Sequence, residues 1–232
     1  MTSDPSDART LAADIRWLDV LTGAERDRAW KSLRFARADA GAFVCRQGER
    51  IAGWVGVLEG LVRVASTDES GCTTTITGVL AGGWFGEGTV LKREPCRYHA
   101  QALCRCRLAI LPAEGFDALL ASSLRFNRFV MDQLNERLSQ FIGAREWERL
   151  RRPDLRVACQ LTQLHNAVLN PRAGTLVKLR QQELADLAGL SRQCVNRSLA
   201  QLQERGLVRV QYGGVQVLDA AALAREVEAG HG

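Results

Sequence analysis

No run of about 18 or more apolar residues occurs in the 232-residue chain, so it offers no candidate membrane-spanning helix. Residues 1 to 10 are polar and lack the apolar centre of a secretion signal, and a cytoplasmic protein is expected. Histidine is scarce: His99, His165 and His231 are the only three. With neither a paired-histidine motif nor a CxxC, no structural or catalytic metal is expected. Seven cysteines, an odd number at irregular spacing, read as reduced thiols and not as a disulfide framework. Cys104 and Cys106 share one face if they lie on a strand, but a metal would want two further ligands. No nucleophile stands beside a general base and no GxxxxGK[ST] occurs, so an enzyme is not expected.

Basic residues outnumber acidic ones by a formal +5, with a pI near 9.0, which permits a polyanionic partner without demanding one. The length suits two domains. From Phe43 to about Leu111 short apolar runs alternate with glycine ("AFVCRQGER", "GWVGVLEGLVRVAS", "CTTTITGVL", "CRLAILP"), the signature of an antiparallel β domain. Glu59-Gly60 should be a tight turn. After Pro112 the period becomes helical. Between Leu124 and Leu150, Met131, Leu134, Leu138 and Phe141 recur at steps of three, four and three, a narrow seam suited to a second copy of the same helix. An amphipathic helix packed only on its own domain is the alternative. Phe126, Val130 and Ile142 are available to face the β domain.

Pro153-Asp154 marks a break and a helix start. Beyond it come "LRVACQLTQLHNAV" as a helix, "TLVKL" as a strand, two helices with a short turn, "LVRVQYGGVQVL" as a hairpin about Gly213-Gly214, and a terminal helix. In the second of the paired helices Val195, Leu199 and Leu202 form the apolar stripe. At 100° per residue Arg192, Gln193, Asn196 and Arg197 then fall on the opposite side, with Ser191 ahead of them as N-cap. Such a helix suits the major groove: arginine forks onto guanine, and glutamine or asparagine pairs with adenine. Lys178, Arg180, Gln181, Arg205 and Arg209 add polar and cationic groups for phosphates.

From about residue 17 to 218 the order of parts resembles the CRP/FNR family of bacterial transcription regulators. The resemblance implies an α+β chain: an N-terminal antiparallel β roll of jelly-roll type (1–122), a dimerisation helix and hinge (123–152) and a C-terminal winged helix-turn-helix (153–232). It implies a homodimer on a palindromic double-stranded operator, working with RNA polymerase and away from membranes. "GGWFGEGTVLKREPCRYHAQAL" resembles the family's phosphate-binding cassette, with Gly86 in the turn, Glu87 for a ribose hydroxyl and Arg97 for a phosphate. The effector implied is a cyclic mono- or dinucleotide. Two positions depart from the cyclic-AMP pattern: Tyr98 stands where a small hydroxyl side chain is usual, and Phe141-Ile142 where Thr-Ser would meet the base. Another nucleotide, an unrelated ligand, a closed pocket with no effector and a thiol switch through Cys104, Cys106 or Cys194 stay open. Arg192, Gln193 and Arg197 align with base-contacting Arg, Glu and Arg, so the operator is expected to be altered or relaxed at the base pair facing Gln193. No cysteine precedes Cys45, which removes the usual ligands of an iron–sulfur relative. A single histidine, His99 or His165, would serve haem, although each reads first as an ordinary surface or core residue.

Overall fold

A computed structural model describes residues 14–71, 73–147, 152–172 and 174–229. The polar start and His231 lie outside them. Eight strands build the N-terminal part: β1 (Arg34–Ala38), β2 (Phe43–Cys45), β3 (Gly53–Glu59), β4 (Leu61–Thr67), β5 (Thr73–Leu80), β6 (Trp84–Phe85), β7 (His99–Ala102) and β8 (Cys106–Pro112). They pair antiparallel in two four-stranded sheets, ordered β1-β8-β3-β6 and β2-β7-β4-β5. Gly60, at φ +97, joins β3 to β4, but the two strands lie in different sheets, so the tight turn expected at Glu59-Gly60 is a bend from one sheet to the other and not a hairpin. Side-chain alternation sends Val55, Val57, Val62, Val64, Ala100 and Leu108 into the space between the sheets.

Helix α1 (Gly23–Ser32) precedes β1, and a short α2 (Glu87–Lys92) lies within the cassette. Helices α3 (Ala113–Ser122) and α4 (Leu124–Trp147) follow. The residues of α4 that face the roll are Phe126 and Val130, both buried, against Trp17, Trp54 and Trp84. Trp54 and Trp84 lie 4.5 Å apart between ring centroids, tilted by 44°, and Trp17 and Phe116 close the cluster edge-on. Ile142 does not join this face; it is 61% exposed. Met131, Leu138 and Phe141 are also exposed, while Leu134 is half-buried. Met131, Leu138 and Ile142 thus share one exposed apolar side of α4, while Leu134 and Phe141 turn toward the roll.

The C-terminal part contains α5 (Pro153–Leu164), β9 (Leu176–Val177), α6 (Gln181–Ala188), α7 (Arg192–Glu204), β10 (Val208–Gln211), β11 (Gly214–Val217) and α8 (Ala220–Ala229). Pro153 begins α5 at its first position, where the missing N–H costs nothing. Strands β10, β11 and β9 form an antiparallel sheet, so the hairpin expected about Gly213 is a three-stranded wing. The expected strand over residues 175–179 shrinks to two residues of that sheet.

The winged part packs on the roll through one continuous apolar cluster, in which Leu61 and Leu80 meet Leu164, Leu184 and Leu187. A Cβ added at Gly78 would stand 2.8 Å from Leu164 Cδ2 and 3.1 Å from Leu187 Cδ1, so this glycine sets how closely α5 and α6 approach β5. Polar ties reinforce the contact. Gln133 Nε2 donates to Val168 O at 2.9 Å, the Leu80 N–H donates to Asn170 Oδ1 at 2.9 Å, and Thr75 Oγ1 donates to Asp186 O at 3.1 Å.

Candidate nucleic-acid interface and ligand pocket

The turn between α6 and α7 is built by Gly189, whose φ of +62 an L side chain rarely adopts. Ser191 Oγ accepts the Cys194 N–H at 3.2 Å and caps α7. Val195, Leu199 and Leu202 are buried, fixing the rotation of the helix. Arg192, Gln193, Asn196 and Arg197 are all exposed on the opposite side, as the helical period requires. Those four side chains project from the first two turns of a capped helix and can reach a surface that meets it end-on.

Cations around the helix divide into two groups. Lys178 and Arg209 are exposed. Arg205 instead bridges Asp154, at 3.5 Å, and Glu226, so it fastens α7 to α5 and α8 and is not free to meet a phosphate. Arg180 sits at the N-terminus of α6, where Nε donates to Glu183 Oε1 at 2.8 Å and Nη2 to Leu103 O of the roll at 3.3 Å. Gln181 begins α6 and is half-buried. The wing tip carries the fully exposed Tyr212, a residue that composition gave no reason to single out.

Between the roll and α4 lies a cavity of about 260 Å³, lined by Gly86, Glu87, Arg97, Tyr98, Arg137 and Phe141 among others. It falls just below the roughly 300–1,000 Å³ usual for ligand pockets. Gly86, at φ +95, makes the turn into α2, and Glu87 is 2% exposed. Its Oε1 accepts from Arg137 Nε at 2.7 Å, and Arg137 Nη2 donates to Trp84 O at 2.7 Å. Glu87 Oε2 is buried without a hydrogen-bond partner. Arg97 lies at the open rim: its Nη2 donates to Glu94 Oε2 at 2.7 Å, and its side chain is 76% exposed. The Tyr98 phenol is pushed up in pKa by burial, against a hydrogen bond with Thr89 that pulls the other way. Phe141 supplies an apolar wall, whereas Ile142 points outward and is not among the lining residues.

A cyclic nucleotide fits this cavity in part. The free oxygen of Glu87 suits a hydroxyl donor, but both guanidinium groups of the lining are already engaged, Arg97 by Glu94 and Arg137 by Glu87, and the bulky Tyr98 and Phe141 fill part of the wall. Among the described residues no cluster of His, Cys, Asp and Glu is suited to a metal ion. His99 Nδ1 accepts the Gln47 N–H, and His165 Nδ1 is buried without a partner. No described helix is long and apolar enough to cross a membrane.

Residues 36–123 match the cyclic nucleotide-binding domain model and residues 155–226 the Crp-like helix-turn-helix domain model. The transcriptional regulator SdrP of Thermus thermophilus is 33% identical over 178 residues, 74% of this chain and 82% of that protein. The cyclic AMP receptor protein of the same organism is 33% identical over 181 residues, 72% of this chain and 76% of that protein. A solved CRP/FNR-family transcriptional regulator, also from T. thermophilus, superposes with a TM-score of 0.54 at 26% identity, over 84% of this chain and 98% of that one. A β roll, a long helix and a winged helix-turn-helix in this order, together with these matches, place the chain in the CRP/FNR family of transcription regulators.

Proposed function

We propose that the protein is a dimeric, sequence-specific DNA-binding regulator that reads a two-fold symmetric operator with Arg192, Gln193, Asn196 and Arg197. The observation that carries this reading is the exposure of all four on one side of α7 while Val195, Leu199 and Leu202 anchor the other. Arg192 and Arg197 pair with guanine O6 and N7, and Gln193 and Asn196 favour adenine. Lys178, Arg209, Gln181 and the cap Ser191 lie beside the backbone phosphates. Met131 and Leu138 join α4 to a partner copy, setting two α7 helices about 34 Å apart, one turn of the duplex. The division at residues 122/123 and 152/153, a cytoplasmic location and contact with RNA polymerase belong to the same reading.

The roll pocket answers to a ligand other than cyclic AMP, or to none. Arg137 already satisfies one oxygen of Glu87, Arg97 is held by Glu94, and Phe141 offers no hydrogen bond to a base. A lost polar contact costs about 1 kcal/mol or more, which separates this pocket from one tuned to an adenine ring. The test is a DNA-binding titration of purified protein without ligand, then with cyclic mono- and dinucleotides, each also titrated calorimetrically. Sequence-specific binding without cyclic AMP, unchanged on adding it, is expected. Sub-micromolar cyclic AMP that switches DNA binding on would overturn the pocket assignment.

A further inference from the structure

Six cysteines have described side chains; Cys194 lies half-buried on α7, and the other five sort by their surroundings. Cys45 and Cys96 lie together inside the roll, both nearly fully buried, and burial raises both thiols. Cys159, inside α5, is pushed up to about 12 by burial. Thiols of this kind stay protonated and inert. Cys104 differs. Cys104 is half-buried at the bend between β7 and β8, on the wall of a cleft of about 640 Å³ that separates the roll from the winged part. Lys178, Arg180 and Arg172 share that cleft. Cys106 is fully buried beneath, its Sγ 3.2 Å from Cys104 O. A Cβ on Gly60 would stand 2.6 Å from the same sulfur, so the glycine of the β3–β4 turn is what leaves room for it.

We propose that Cys104 and Cys106 form a peroxide-reactive thiol pair at the seam between the roll and the DNA-reading part, with Cys104 as the attacking sulfur and Cys106 as the resolving one. A hydrogen bond from Cys106 draws the Cys104 thiol down, against the opposing effects of burial and of Glu183, with Arg180 assisting; Cys106 is raised in turn, chiefly by that same bond, a cause that ends once Cys104 is oxidised. The Cys104 thiolate attacks one oxygen of a hydroperoxide. The S–O bond forms, the O–O bond breaks, sulfur loses two electrons and the peroxide leaves as alkoxide or hydroxide. Cys106 sulfur then attacks Cys104 sulfur; the S–S bond forms and the sulfenic oxygen departs with the Cys106 proton as water. A disulfide spanning only Arg105 needs sulfurs about 2.05 Å apart and reshapes residues 103–106. Leu103 O is the acceptor that ties Arg180 to the roll, so the same movement releases the N-terminus of α6.

The test treats reduced full-length protein with hydrogen peroxide and follows intact mass, peptide maps and hydrogen exchange of Gln181–Ala188. The expected product has lost two hydrogens at Cys104 and Cys106, with exchange across α6 accelerated. Cys106→Ala, which also removes the bond that lowers Cys104, should react more slowly and stop at a sulfenic acid on Cys104 that a 1,3-dione traps, and Cys104→Ala should abolish the reaction at both. Faster oxidation at Cys194, or a first disulfide between Cys45 and Cys96, would overturn the assignment. So would a disulfide between Cys104 and Cys106 that leaves α6 exchange unchanged. The regulatory consequence rests on the DNA-reading proposal: oxidation should tighten operator binding by roughly fivefold or more, the low end of allosteric coupling. If the reduced and oxidised proteins bind no duplex at all, the DNA reading fails while the masses and exchange still decide the thiol site.

Discussion

Replacing Arg137 by methionine tests how the long helix is fastened to the roll. The native guanidinium is only 16% exposed in its side chain, donates to Glu87 at 2.7 Å and to Trp84 O at 2.7 Å, and faces a carboxylate that is 3% exposed. Methionine keeps much of the stem but leaves the Glu87 carboxylate without any hydrogen-bond donor, since Oε2 already lacks one. Breaking a buried ion pair from one side costs about 3–5 kcal/mol. For a chain of 232 residues that is a fall of roughly 6–20 °C in Tm, at about 2–4 °C per kcal/mol. Tryptophan fluorescence during urea unfolding is the natural assay, because Trp17, Trp54 and Trp84 pack together beside the pair. Converting Glu87 to glutamine in the same variant should restore most of the loss, as an uncharged amide needs no counter-ion. A loss below about 1 kcal/mol for Arg137→Met, in the range of exposed ion pairs, would refute the idea that this pair is a buried fastening.

Asp154→Asn should destabilise the winged part by about 1–3 kcal/mol at neutral pH, because it weakens the acceptor of Arg152 and Arg205. Burial raises the Asp154 carboxyl, but its bonds to Arg152 outweigh that and hold it below the usual carboxylate range. A depressed value contributes stability above the unfolded value of about 3.9 and loses it as pH falls further, so thermal scans should show the gap between the two proteins narrowing as pH falls below about 4. Leu138→Asp puts a charge in the exposed strip of α4 and should turn dimers into monomers in sedimentation equilibrium, with the secondary structure unchanged by circular dichroism. Ser191→Ala removes the cap that accepts the Cys194 N–H and should cost about 1 kcal/mol in urea unfolding, with a parallel weakening of operator binding.

Much of the DNA-reading part is legible from spacing. The stripe of Val195, Leu199 and Leu202, the cap Ser191 and the turn glycine Gly189 are local signals, and all three act as their chemistry demands. Strand β1 is not legible: "RFARA" carries two arginines and two alanines on a mostly exposed edge strand, so no buried alternation announces it. The pocket is half legible. The turn at Gly86 and the position of Glu87 follow from the cassette, but Arg137 lies fifty positions further on, on another element, and no local pattern couples the two. Arg97 is expected to face inward, yet Glu94 captures it across a non-helical turn through Pro95, a geometry that charge spacing along the sequence does not announce. Phe141 and Ile142 are neighbours on a helix, so rotation by 100° divides them, and only Phe141 reaches the cavity. Docking of α5 and α6 on β5 depends on a bare backbone at Gly78 meeting Leu164 and Leu187, leucines far along the chain, which no periodicity reveals.

The most direct measurement is selection of bound sequences from a randomised duplex pool by the native protein and by Gln193→Glu. A two-fold symmetric site is expected, with half-site centres about 34 Å apart. Between the two proteins the base preference should change at one symmetric pair of positions. Recovery of no enriched sequence, or of the same preference at every position with both proteins, would contradict DNA reading through α7.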